Sequence, residues 1–457
     1  MGFDAARQRR LPTMLFDDLA GGAEDERTIA ENVAAFSKIK LLPHRLRDVR
    51  TRTTDVDLLG TRIAAPLVVG PTCLNGAIWP NGDTALATAA KRAGVPFGLS
   101  TASNERLETV AKVGGELWFQ LYVVHRQLAA SLVDRAANAG YAALILTVDV
   151  PVNGKRKRDL RNGFQIPLRY SARTILDALT HPRWTASILM NGTPTLANLA
   201  ADNATTLQAQ NALLRRERDA SFDLDDLACL RDLWPRRLLV KGVCRPEDIA
   251  RCFAIGTDAV VISNHGGRQL DDSVSPMEIL PQVRHLGPVL VDGGVRRGSD
   301  IVKAIALGAQ AVLLGRSVLY GLAASGEAAA AKALAILCEE IDRTLALIGC
   351  PAASRQDESF IAASALSPVT GQSRSDQNDG YQVDQSPTPI DSVSDSERFR
   401  NGRSPLSGST LTRAFDLGRR AISRINDPLP CVTLGPCRTR GFPLWSRARA
   451  PVRADRP

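Results

Sequence analysis

Eight short, almost continuously apolar runs recur through the chain, at 66–70, 96–100, 117–121, 143–149, 238–242, 259–263, 289–293 and 311–315. A strand that faces water on one side alternates polar and apolar residues, so runs without alternation are strands buried on both faces. Amphipathic helical patterns lie between most of them, for example at 82–94, 126–140 and 299–308, and several close on glycine as helix C-termini do. Eight strand-then-helix units predict an α/β fold, a (β/α)8 TIM barrel from about residue 60 to 350. A chain of 457 residues with 44% hydrophobic content accommodates it. The expected additions are an N-terminal helical extension, an inserted segment after the fourth strand and a C-terminal tail.

Two stretches break the pattern. Residues 163–220 are too long for one crossover and mix Phe164, Tyr170, Trp184, Ile188, Leu189 and Met190 with Arg169, Arg173 and Arg183. Such a segment is either a lid packed on its own barrel or a basic, apolar surface laid on an anionic membrane. Beyond 356 the chain turns rich in Ser, Pro, Asp and Gln, then in Arg, with no periodicity, and residues 357–457 are expected to be disordered. The catalytic domain is thus expected to span 1–356.

Much of the arginine behind the net charge of +9 falls in that tail, aromatics are only 5%, and no nucleic-acid motif appears, so no nucleic-acid partner is expected. The eight cysteines show neither CxxC nor Cys/His spacing, which predicts free thiols in a reducing compartment and no metal site. No apolar run approaches about 18 residues and the N-terminus lacks a signal-peptide core. The expectation is a cytoplasmic, soluble protein, with surface attachment left open.

Polar residues gather at one end of the apolar runs: Thr72 and Asn75, Ser100, Gln120 and Tyr122, Thr147 and Asp149, Lys241, His265 and Arg268, Asp292 and Arg296, Gly315 and Arg316. Each alone reads as an ordinary strand cap. Repeated around eight units, they mark the C-terminal face of the barrel, where such barrels carry their chemistry. The sixth run ends in Ser263-Asn264-His265-Gly266-Gly267-Arg268-Gln269-Leu270-Asp271. His265 can take a proton near neutral pH and the Arg268 guanidinium can grip a carboxylate with two hydrogen bonds. Together they suggest proton abstraction from a small organic acid. Glycine turns after the seventh and eighth runs, with Arg296 and Arg316, form the usual phosphate site of these barrels. No GxGxxG opens a dinucleotide-binding unit, so flavin mononucleotide (FMN) is preferred to NAD, with Lys241 beside its ring.

From about Leu11 to Pro351 the chain resembles the FMN-dependent α-hydroxy acid oxidases and dehydrogenases, above all the branch that oxidises mandelate. The resemblance is carried by residues 21–26, 71–76, 99–104, 118–122, 146–149, 263–271 and 292–298, and the His181-Pro182-Arg183-Trp184 segment resembles that branch's membrane contact. It implies oxidation of an (S)-2-hydroxy acid with an aromatic, mandelate-like side chain to the 2-oxo acid, electrons passing to a membrane quinone or another acceptor. His265 is then the base, Asp149 the group that holds the resulting imidazolium, Arg156 and Arg268 the carboxylate binders and Tyr122 the partner of the substrate hydroxyl. Thr72, Ser100, Gln120, Thr147, Lys241 and Ser263 would hold the flavin ring and ribityl chain. Asp292, Gly293, Arg296, Gly315 and Arg316 would hold ribityl and phosphate. A homotetramer, peripheral on the inner face of the cytoplasmic membrane, is also implied. Two departures stand out: Asp18 replaces a tyrosine that binds the carboxylate, and Cys73 takes a position usually held by Ala or Gly. They keep open an oxygen-using oxidase, a substrate other than a hydroxy acid, or an FMN-binding protein with impaired catalysis.

Overall fold

The computed structural model describes residues 10–164, 171–199 and 219–362. Eight parallel strands close into a barrel: β1 (Leu67–Val69), β2 (Phe97–Ser100), β3 (Leu117–Leu121), β4 (Ala143–Thr147), β5 (Arg237–Val243), β6 (Ala259–Ile262), β7 (Val289–Asp292) and β8 (Ala311–Leu314), with β8 pairing back onto β1. Most of their residues are buried, because the barrel interior takes one face and the surrounding helices the other. The register aligns the polar strand ends, setting Ser100 beside Gln120 and Thr147 beside Lys241. The runs read from sequence therefore coincide with the barrel strands, and a helix follows each of them.

The N-terminal extension contains α1 (Thr13–Ala20) and α2 (Arg27–Lys38). A short helix, α3 (Lys157–Asn162), follows β4, and the inserted segment holds α4 (Ala172–Leu179) and α5 (Pro182–Asn191). The last barrel helix, α6 (Arg316–Ile348), is two helical pieces joined at the non-helical Ser325 and Gly326. It is long and apolar enough to cross a membrane, yet half of that stretch is buried against the barrel, as befits a core helix. Ordered chain continues past the expected boundary at 356, since Phe360 and Ile361 are buried and Ile361 bridges to Leu41. The stretch read as a disordered tail lies, from 363 onward, outside the described residues.

The described part of the insertion packs on its barrel and leaves an apolar outer side. Trp184 is buried and donates its indole N–H to the Ala77 carbonyl at 2.8 Å, and Leu196 and Leu199 are buried too, so the segment packs on its own barrel. Its outer side presents Ile175, Leu176, Leu179, Leu189 and Met190, from 48% to 80% exposed, which is far more apolar surface than scattered single residues explain.

Candidate active site

Above the C-terminal ends of the strands lies a cavity open to solvent. Thr72, Gln120, Tyr122, Thr147, Arg156, Lys241, His265, Arg268, Asp292, Gly293, Arg296, Gly315 and Arg316 all line it. Three of the expected residues do not. Ser100 and Ser263 are buried behind the wall, where Ser100 donates to Gln120 Oε1 at 3.0 Å and Ser263 Oγ accepts from Lys241 Nζ at 2.8 Å. Asp149 lies behind His265.

The loop after β6 is shaped by backbone. His265, Gly266 and Gly267 all have positive φ, of 58°, 62° and 75°. A Cβ on Gly267 would fall 2.8 Å from the backbone nitrogen of Ile29, so only glycine fits there. His265, a residue that rarely adopts this conformation, is steadied by its own N–H donating to Ser263 Oγ at 2.9 Å. Its Nδ1 is 2.9 Å from Asp149 Oδ1. With Nδ1–H donating to that carboxylate, Nε2 is left as the basic nitrogen. Burial alone would raise the Asp149 pKa, but the facing His265 and Lys241 outweigh it and hold it below the ordinary carboxylate range. Lys241, a costly buried cation if alone, has Asp292 Oδ2 at 2.7 Å. Burial works to lower its pKa, and Asp292 and Asp149 overcome this and raise it.

The cavity wall fits a flat, polar, anionic cofactor. Gln120 Nε2, Thr147 Oγ1 and Asp292 Oδ1 are buried and find no hydrogen-bond partner among the described residues, giving a donor, a hydroxyl and an acceptor on residues that line the space. Buried groups of this kind are costly until a ligand satisfies them. Arg316 donates to the carbonyls of Leu19, Gly266 and Gly21, and no described carboxylate forms an ion pair with it. Burial, then the nearby Arg268 and Arg296, push its pKa down to about 9, a stress that an anion would relieve. Gly315 caps the N-terminus of α6 beside it, a natural seat for a phosphate. Gly294, at φ 79°, could carry no side chain, because a Cβ would collide with the Asn32 carbonyl oxygen.

Several supports of the site escaped sequence reading. Asn264 and Asn32 exchange two side-chain hydrogen bonds of 2.8 Å, and Asp271 accepts from the Asp25 and Thr28 N–H groups at 3.0 and 2.9 Å, tying α2 to the His265 loop. Gln269 accepts from Gly154 N–H at 3.0 Å and joins that loop to the one carrying Arg156. Asp18 Oδ1 lies 2.7 Å from Arg156 Nη1 and 3.0 Å from Arg268 Nη2. Cys73 lines the cavity with Sγ 3.4 Å from Ser100 Oγ.

Thr72 leads into a buried chain: it donates to Asn75, and Asn75 and Ser103 donate to Asp83 at 2.7 and 2.6 Å. Burial outweighs both donations and pushes the Asp83 pKa from 3.8 up to about 7. A raised carboxyl pKa stabilises the fold while the group is protonated, fully below pH 3.8, and that contribution is lost as pH climbs through about 7. Asp83→Asn should remove this slope. Urea midpoints measured at about pH 4.5 and about pH 7.5 should shift in the variant's favour, relative to native, at the higher pH.

Comparison with known proteins meets this geometry. The family described as FMN-dependent dehydrogenase matches residues 7–363. The chain belongs to that family. It is an oxidoreductase, and its cofactor is FMN. It is 55% identical to (S)-mandelate dehydrogenase of Pseudomonas putida over 348 residues, covering 76% of this chain and 88% of that protein. It is 38% identical to an L-lactate oxidase of Nostoc over 369 residues, covering 79% and 96%. Among solved structures, one described as the monotopic membrane protein (S)-mandelate dehydrogenase superposes with a TM-score of 0.77 at 52% identity, covering 79% of this chain and 97% of that one. The barrel, the FMN dependence and the dehydrogenase class expected from sequence all stand.

Proposed function

We propose that the protein oxidises an (S)-2-hydroxy acid of mandelate type to the 2-oxo acid. The observation that carries this is the His265–Asp149 pair, facing a cavity that also holds Arg156, Arg268 and Tyr122. His265 takes a proton from the hydroxyl-bearing carbon or its hydroxyl, and Asp149 stabilises the imidazolium that forms. Arg268 and Arg156 orient the carboxyl end of the substrate and Tyr122 its hydroxyl region. FMN, when bound, accepts the electron pair and passes it on. Gln120, Thr147 and Lys241 hold its ring side, Asp292 its ribityl chain, and Arg296, Gly315 and Arg316 its phosphate; Thr72 and Gly293 complete the wall, with Ser100 and Ser263 bracing it from behind. Arg268→Lys tests the substrate end. The two-pronged grip is lost along with the bonds Arg268 makes to the Asp18 and Gly21 carbonyls, so KM should rise about tenfold or more and turnover should slow. An unchanged KM would remove Arg268 from substrate binding.

We assign the second half-reaction to a membrane quinone, with the protein peripheral on the inner face of the cytoplasmic membrane and assembled as a homotetramer. The exposed apolar side of α4 and α5, flanked by Arg173 and Arg183, supports the membrane contact, as does the likeness to a monotopic membrane protein. Leu176→Ser with Met190→Ser should weaken binding to anionic vesicles by more than about tenfold, since each buried aliphatic side chain contributes roughly 1.5–3 kcal/mol, and leave flavin content unchanged. Undiminished sedimentation with vesicles would dismiss this face. Cys73 stands on the cavity wall where a smaller residue is usual, so its bulk bears on access of oxygen to this space, and comparing turnover in air with turnover on a quinone analogue tells the two acceptors apart.

A further inference from the structure

We propose that Asp18 turns the carboxylate clamp into a receptor that also takes a neutral carboxyl derivative, so that a 2-hydroxy amide is oxidised in preference to the free 2-hydroxy acid. The inference rests on the reading that the carbinol carbon is oxidised in this cavity. Arg156 and Arg268, the two guanidinium groups placed to hold a substrate carboxylate, already share one: Asp18 Oδ1, at 2.7 and 3.0 Å. Arg156 has a second carboxylate at 3.4 Å, from Asp159. Arg316, near Arg268, is the cation assigned to the cofactor phosphate, while Arg156 and Arg268 face two carboxylates. All four side chains are at least 78% buried, the most exposed being Arg268 at 22%, so solvent and salt screen them little. The nearby cations Lys157 and Arg158 are also engaged, with Asp25 and with Glu26.

Asp18 is also held in place by its helix. In α1, Thr13 N–H donates to Asp177 at 2.6 Å and Asp17 accepts from Asn162 at 2.6 Å. In the last turn of α1 and at the residue that follows, Arg268 and Arg316 bond to the carbonyls of Asp18, Leu19 and Gly21. An incoming carboxylate must therefore sit beside a fixed carboxylate, a like-charge encounter in a poorly screened place. A primary amide suits a mixed arginine and aspartate wall better: its carbonyl accepts from guanidinium and its N–H donates to Asp18, whereas a carboxylate only accepts. The reaction is otherwise unchanged. The carbinol would lose two electrons and one proton to the flavin and its other proton to His265, one hydrogen coming from the carbon and one from the hydroxyl, and the carboxamide stays intact.

The test uses the FMN-loaded full chain and two ligands without the hydroxyl, phenylacetamide and phenylacetate, titrated by the shift they cause in flavin absorbance. Turnover of (S)-mandelamide and (S)-mandelate is measured in parallel. The native protein should favour the amide by about tenfold or more in both Kd and kcat/KM. Asp18→Asn should tighten phenylacetate by about tenfold or more and lower KM for mandelate with little change in kcat, while Asp18→Glu keeps the native preference. A native preference for the acid would overturn the proposal. So would an unchanged ratio in Asp18→Asn, or the same shift in Asp18→Glu, which would trace the effect to a loosened α1 and not to charge. If neither hydroxy compound reduces the flavin, the oxidation reading fails, and the two titrations still decide the role of Asp18.

Discussion

The His265→Ala protein is expected to keep its FMN and to be reduced by substrate roughly 10²–10⁴ times more slowly than native, the usual share of a positioned acid–base group. The side chain is partly open to the cavity, at 23% exposure, and its removal leaves β6 and its glycine turn in place, so cofactor binding should survive. What disappears is the one imidazole that lines the cavity among the described residues, and the partner of Asp149 Oδ1 at 2.9 Å. Asp149 then keeps only Lys241 of the two cations that hold its pKa down, and burial presses the carboxyl back upward. His265→Asn, which can still donate to Asp149, should be equally slow in flavin reduction while restoring any lost stability. Rapid-mixing measurement of flavin bleaching checks both variants, and reduction at the native rate would remove His265 as the base.

Asp292→Ala is expected to destabilise the fold by about 3 kcal/mol and to yield protein without flavin, because it removes the contacting partner of a buried ammonium and leaves only the more distant Asp149 facing it. Lys241 is 6% exposed and Asp292 is its carboxylate partner at 2.7 Å; the other carboxylate oxygen is the unpartnered acceptor facing the cofactor space. One substitution thus breaks an ion pair and removes a contact to the cofactor. Combining it with Lys241→Met should recover much of the stability but not the flavin, since the uncompensated charge is gone while the wall remains incomplete. Urea denaturation and the ratio of flavin to protein absorbance separate the two effects. A stable, yellow Asp292→Ala protein would contradict the assignment of both residues.

The barrel and the lining of the cavity were legible in sequence for one physical reason. A strand buried on both faces is almost wholly apolar, so a polar residue at or just past the end of each run marks the strand end, and in a parallel barrel all such ends meet on one face. Thr72, Gln120, Thr147, Lys241, His265 and Asp292 were found in this way. The same logic cannot tell a side chain in the wall from one behind it, and Ser100 and Ser263, read as cofactor contacts, lie behind residues that line the cavity. The contributions of the N-terminal extension left no local signal. Asp18 reaches Arg156 across 138 residues and Asn32 reaches Asn264 across 232, and neither spacing nor periodicity encodes such meetings. The departure at Asp18 was visible from the resemblance, but its pairing with both arginines needed coordinates. The boundary at 356 fell short because composition changes there, whereas Phe360 and Ile361 still pack on the barrel.

The central claim is that His265 and bound FMN oxidise a carbinol carbon in this cavity. The most direct test is the absorbance spectrum of the purified protein without oxygen, before and after excess (S)-mandelate or its amide. Flavin absorbance that bleaches on addition in the native protein and persists in His265→Ala is the predicted result. Flavin that stays oxidised with both compounds, or a colourless protein that FMN cannot reconstitute, would contradict it.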